Sequence, residues 1–208
     1  MSRGKFLTKE LLELQGPIEK EDFSQWLVHF CRPTYWGKKL LTPFEALINI
    51  LQTRRIIASQ EHIHDSKGVT CFYEVPPHNW PELIKNDPNG RRGYGLIVSK
   101  SAFWYKGGRP CIYTDNLSED YWPKEERYLL VYTNLTKDPN PIDWTHEREW
   151  RIKGDFTLEP IRDVTETWWY PCVEKLTDAQ FIFRKFYNIH YSYVIELDRI
   201  ISKKQLLI

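Results

Sequence analysis

Short apolar runs rich in β-branched and aromatic residues recur along this chain, separated by clusters of Pro, Gly and Asn, and that rhythm predicts strands. The strand expectations are Trp26–Cys31, Ile56–Ser59, Val69–Val75, Tyr94–Lys100, Pro110–Thr114, Trp168–Val173 and Tyr191–Leu197. Helical spacing is clearest after Thr42-Pro43-Phe44-Glu45, where Thr42 is a natural N-cap, Pro43 suits the first turn and Glu45 completes a capping box. Phe44, Leu47, Ile48 and Leu51 then form one apolar face, and the helix should end near Arg54-Arg55. Shorter helical patterns occupy 8–14, 101–106 and 119–135. A second capping-box pattern, Thr177 to Gln180, leads into a helix over 181–186. Between the strands, 76–93 has little periodicity and reads as a long, flexible, partly ordered loop.

A length of 208 residues fits one domain, with its core over 24–200. The fold class expected from these elements is α+β, strand-rich with few helices. With 29 basic and 28 acidic side chains the net charge is +1, which argues against affinity drawn mainly from neutralising nucleic-acid phosphates. Nine tryptophans within an aromatic content of 15% suggest stacking surfaces as well as a core. The four cysteines are isolated, without a Cys-x-x-Cys pair, and residues 1–20 lack the order of a signal peptide, so reduced thiols in a cytoplasmic protein are expected. No run approaches the roughly 20 apolar residues of a membrane helix, so no membrane partner is expected.

Candidate chemistry centres on Trp144-Thr-His-Glu-Arg-Glu-Trp-Arg-Ile-Lys153. As one alternating strand, this stretch places Glu147, Glu149 and Arg151 on one face, with the carboxylates about 7 Å apart. Such a pair serves either as an active site or as half of an ion-pair ladder neutralised by Arg151 and a neighbouring Lys. His29-Phe30-Cys31-Arg32 closes the first strand before a Pro-Thr-Tyr-Trp-Gly turn, and a guanidinium at Arg32 can clamp a phosphate or carboxylate. His62-Ile63-His64, with His29, His78 or Glu147, lacks any diagnostic ligand spacing, so no metal site is assigned. The turn Gly90-Arg91-Arg92-Gly93-Tyr94-Gly95 has no following helix and is not a phosphate loop.

Three blocks in this order resemble bacterial AbiGi-like abortive phage infection proteins: His29-Phe30-x-Arg32, Ile48 to Ser59, and Cys71-Phe72-Tyr73-Glu74-Val75-Pro76. Tyr94 to Lys100, Gly108 to Tyr113 and Glu147-x-Glu149-Trp150-Arg151 continue the likeness over residues 27–153. The same order is similar to the ADP-ribosyltransferase superfamily. That resemblance implies a core of two packed sheets around a central cleft, with a few flanking helices, and NAD as substrate. Carried over by position, Arg32 or His29 fills the NAD-binding role of the early strand, Ser99 that of the middle strand, and Glu149 the catalytic role, with Glu147 beside it. The middle motif departs from the superfamily, reading Val98-Ser99-Lys100. Tyr73, Tyr94 or Tyr105 would supply a ring to stack on nicotinamide.

The implied activity is NAD-dependent modification of a macromolecular acceptor in phage defence or a toxin–antitoxin setting, with a possible cognate toxin or antitoxin partner. A non-catalytic, antitoxin-like binding module on the same fold is the alternative. A nucleic-acid-handling protein using the aromatics and the Arg91-Arg92 loop is a second.

Overall fold

The computed structural model describes residues 24–60, 68–76, 79–85, 90–118, 120–161, 168–186, 191–196 and 199–204. The helix expected over 8–14 and the imidazoles of His62, His64 and His78 lie outside the described residues.

In chain order, β1 (Trp26–Phe30) is followed by a hairpin of β2 (Thr34–Trp36) and β3 (Lys39–Leu41), helix α1 (Pro43–Thr53), β4 (Arg55–Ile56) and β5 (Val69–Tyr73). Helix α2 (Trp80–Lys85), β6 (Gly95–Ser99) and helix α3 (Lys100–Tyr105) come next, then β7 (Arg109–Pro110), β8 (Ile112–Thr114) and β9 (Leu130–Tyr132). The chain continues through β10 (Glu149–Lys153), β11 (Phe156–Thr157), β12 (Trp169–Val173), helix α4 (Leu176–Lys185), β13 (Tyr191–Glu196) and β14 (Arg199–Lys204). The protein is α+β. Eight strands form one sheet in the order β14-β13-β12-β6-β1-β5-β10-β7, and three two-stranded ribbons accompany it. The expected pair of packed sheets is replaced, among the described residues, by this one large sheet and its ribbons. All neighbours in the large sheet are antiparallel except β12 and β13, which are parallel and joined across α4, as a parallel pair requires a crossover.

Alternation along the central strands explains why both faces of the sheet are covered. On one face Leu27, Phe72, Leu96, Val98 and Trp150 pack beneath α1, α3 and α4. On the other, Trp26, Val28, Phe30, Tyr73 and Ile97 pack with Trp80 and Ile84 of α2. Phe72 is fully buried among the rings of His29, Phe103 and Phe156, at centroid separations of 5.4, 4.7 and 5.0 Å. Truncation of such an aromatic to Ala costs about 3–5 kcal/mol.

Helix α1 forms as expected: Thr42 Oγ1 accepts from Glu45 N–H, and the Glu45 carboxylate accepts from Thr42 N–H. It ends at Arg54 in a left-handed conformation. Three stretches differ in detail from their local pattern. Residues 120–135, the described part of the helix expected over 119–135, form no α-helix: a 3-10 turn at Arg127–Leu129 runs into β9, which pairs in parallel with β8. Helix α4 starts at Leu176 with Lys175 as an N-cap that makes no side-chain bond, so the capping box at Thr177 does not form. Within 76–93, α2 is anchored by Trp80, which is fully buried and donates from Nε1 to the Val75 carbonyl at 2.7 Å. Its indole ties this part of the expected loop to the core.

Gly95 sets the spacing of β6 against β1. A Cβ there would lie 2.0 Å from the His29 carbonyl oxygen, so only glycine permits this approach, opposite Phe30 in the register.

Candidate functional site

A cavity of about 1230 Å³ opens where β1, β5 and β10 meet the β2–β3 hairpin, α1 and β9. Its walls include His29, Arg32, Tyr73, Arg91, Glu147, Glu149 and Arg151. Segments far apart in sequence supply these groups. Between β1 and β5 only Val28 and Tyr73 are in register, so these strands part beyond that point. His29 lies there, its Nδ1 2.8 Å from the Cys71 carbonyl of β5. A carbonyl only accepts, so Nδ1 carries the proton. Burial, with the Arg91 and Arg32 guanidiniums adding to it against the Cys71 carbonyl bond, lowers the imidazole pKa to about 4. His29 is therefore neutral near pH 7, with an Nε2 lone pair.

The stretch from Trp144 to Lys153 is not one strand. Thr145–Glu147 is a 3-10 turn and Arg148 has φ of 43°, a left-handed conformation disfavoured for a residue with a Cβ. Strand β10 begins only at Glu149, so Glu147 reaches the cavity from a turn. The two carboxylates consequently acquire different partners.

Glu149 is buried and gripped by Arg151: Nε donates to Oε1 at 2.9 Å and Nη2 to Oε2 at 3.0 Å. The remaining Arg151 nitrogen, Nη1, donates to the carbonyls of Tyr128 and Leu130 at 2.9 and 3.0 Å. Burial works against the Arg151 charge, and Glu149 more than offsets it, so Arg151 holds its proton more firmly than a free guanidinium. Tyr113 Oη accepts from Glu149 N–H at 2.7 Å. Glu147 instead accepts from Arg91 Nη1 at 2.9 Å on Oε1. Arg91 Nη2 donates to Tyr73 Oη at 2.8 Å, and its guanidinium lies 4.4 Å from the Tyr73 ring centroid. The ladder expected from Arg151 and a Lys is thus two separate arginine pairs.

Of the residues singled out in the sequence, His29, Arg32, Tyr73, Glu147 and Glu149 share this cavity. Ser99, Tyr94 and Tyr105 do not line it. Ser99 caps α3 and exchanges a hydrogen bond with Ser101 at 2.8 Å. Tyr94 packs on Phe44 and donates to Asp178 at 2.8 Å, while Tyr105 is exposed at the end of α3. No family model, curated protein or solved structure matches this chain.

Four arginines against two glutamates make the lining cationic, since Arg55 joins the three already named. Exposed rings of Tyr35, Trp36, Tyr132 and Trp144 line it as well. The arrangement suits an anion carrying flat rings. Sequence reasoning assigned Arg91 only to a nucleic-acid alternative and passed over Tyr113. Nothing local in either segment signals a partner on β5 or β10. Cys71 and Cys111 flank the Glu149–Arg151 pair, but burial, together with the Glu149 charge, raises both thiols well above their ordinary range, so neither is a poised nucleophile. Among the described residues no group of three or more His, Cys, Asp and Glu could hold a metal ion, and no helix is long and apolar enough to cross a membrane.

Proposed function

We propose that the cavity binds NAD and that the protein is an ADP-ribosyltransferase-like enzyme modifying a macromolecule, in the phage-defence or toxin–antitoxin setting that its resemblance to the AbiGi-like proteins implies. The observation that carries this reading is the convergence of His29, Arg32, Tyr73, Glu147 and Glu149, from distant segments, on one cavity large enough for a dinucleotide.

In this reading Arg32 engages the diphosphate and Tyr73 presents a ring to the nicotinamide end. Cleavage of the nicotinamide–ribose bond sends the bonding pair to nicotinamide and leaves positive charge on the sugar, which a fixed carboxylate stabilises more in the transition state than in the ground state. Arg151 and the Cys71 thiol do not use all the lone pairs of the Glu149 carboxylate, which can still accept from a ribose hydroxyl. Glu147 Oε2 has no protein partner among the described residues, so Glu147 is placed to take the proton of the attacking acceptor.

Calorimetric titration with NAD, followed by a nicotinamide-release assay, tests the proposal. Saturable binding that Arg32→Ala weakens, with turnover that Glu147→Gln abolishes in a folded protein, is the expected result. No binding at millimolar NAD would overturn it. A second reading, a non-catalytic binding module, is favoured by one feature: both carboxylates are already engaged by arginines. Binding of NAD without nicotinamide release would select it.

A further inference from the structure

Arg91 occupies the cavity in an unusual way. Its side chain is slightly more buried than that of Glu147, at 11% against 14% exposure, yet its backbone belongs to neither helix nor strand. It bridges Glu147 Oε1 and the Tyr73 hydroxyl, holding one oxygen of the carboxylate that the proposed chemistry needs. Arg32 is nearby. The Arg92 N–H donates to the Cys31 carbonyl at 3.2 Å, and a Cβ on Gly90 would come within 3.7 Å of the Pro33 ring, so the segment carrying Arg91 runs alongside the one carrying Arg32. Both side chains line the cavity around the neutral His29.

We infer that Arg91 and Arg32 form a two-armed site for the diphosphate of a nucleotide, and that the bound diphosphate draws Arg91 away from Glu147. This rests on the reading of the cavity as a nucleotide site and adds to it how that site is switched on. A guanidinium binds phosphate oxygens in the same forked geometry as a carboxylate, and a diphosphate brings more negative charge than the single carboxylate of Glu147. His29, neutral and with its Nδ1 proton on the Cys71 carbonyl, leaves the attraction of the anion to the two arginines. Glu147 therefore competes with the diphosphate for Arg91. Once ligand is bound it becomes an uncovered carboxylate beside the sugar.

Competition makes a directional prediction that a merely structural pair would not. ADP and inorganic pyrophosphate are titrated calorimetrically into wild type, Arg91→Gln, Glu147→Gln and Tyr73→Phe, each verified as folded by circular dichroism. Arg91→Gln should weaken both ligands about tenfold or more, the scale of one charge-assisted contact. Glu147→Gln should tighten them several-fold, because the competing carboxylate is gone, and Tyr73→Phe should tighten them in the same direction if the Gln variant fails to fold. Unchanged affinity in Arg91→Gln would overturn the inference. So would weakening in both Glu147→Gln and Tyr73→Phe, or no diphosphate binding to wild type at millimolar concentration. ADP and pyrophosphate binding in the expected pattern without NAD binding would leave the two-armed site standing and sink the NAD reading.

Discussion

Arg151 holds Glu149, its neighbour two positions along the same strand, through two parallel hydrogen bonds of 2.9 and 3.0 Å, in a setting where both residues are buried. A bidentate pair removed from water is costly to break from one side, because the surviving charge is left unpaired. Through Nη1 the same guanidinium also satisfies two backbone carbonyls ahead of and within β9, so it fixes the cavity wall as well as the carboxylate.

Single substitutions at this pair should therefore destabilise the fold. Glu149→Leu and Arg151→Met are each expected to cost about 3 kcal/mol, while the Glu149→Leu/Arg151→Met double variant should cost less than the sum of the two. Urea unfolding of the three variants checks this, and strict additivity would refute it. Activity lost on replacing Glu149 has to be read against that fall in stability. Glu147 is the cleaner probe of chemistry, since its side chain sits at the cavity and its partner Arg91 lies outside regular structure.

Acidification should weaken the fold through His29. The folded imidazole titrates at about 4 against 6.5 in an unfolded chain, so between those values the unfolded state binds the extra proton. Stability is full above pH 6.5 and is lost as pH falls toward 4, with a contribution on the order of 3 kcal/mol. His29→Asn keeps a side-chain N–H to offer Cys71 and removes the titration. Its unfolding midpoint should fall less steeply than that of wild type between pH 6.5 and 4.5, and parallel profiles would exclude the assignment.

Thiol chemistry gives a third check. Burial pushes Cys31 up to about 12 and raises Cys71, Cys111 and Cys172 as well. In native buffer at pH 8 a thiol-reactive chromogen should label almost none of the four cysteines, and in denaturant it should label all of them. Rapid native labelling at Cys71 or Cys111 would restore a nucleophilic role for the cavity thiols.

Local rules recovered much of this architecture. The capping box of α1 is written in Thr42, Pro43 and Glu45, and the central strands follow their apolar runs to within one or two residues. Failure came where the deciding contact is remote or the backbone leaves its ordinary range. Nothing in Glu147-Arg148-Glu149 announces a left-handed Arg148, so an alternating strand was the natural reading, and it merged two carboxylates that the fold separates. In 119–135, Tyr128, Val131, Tyr132 and Leu135 have helical spacing, but the three residues of β9 are too few for a period of two to be visible, and their partner β8 lies across a long connection. The β2–β3 hairpin was readable in principle, since the two residues Gly37-Lys38 separate two extended triplets and Gly37 takes a positive φ of 61°. The site itself was half legible: its chemistry-bearing residues were nameable, whereas their pairing depends on the meeting of β1, β5 and β10.

That meeting has a mechanical side. The large sheet is joined at its middle by one register pair, Val28 with Tyr73, which divides it into a five-stranded plate ending at β1 and a three-stranded plate beginning at β5. Arg32 follows the last strand of the larger plate and Arg91 precedes its neighbour β6, whereas Tyr73, Glu147 and Glu149 belong to, or lead into, the smaller one. The ion pair between Arg91 and Glu147 is thus a staple across the seam. On the inference above, an anion that claims Arg91 would exchange this contact across the seam for one made from the larger plate alone.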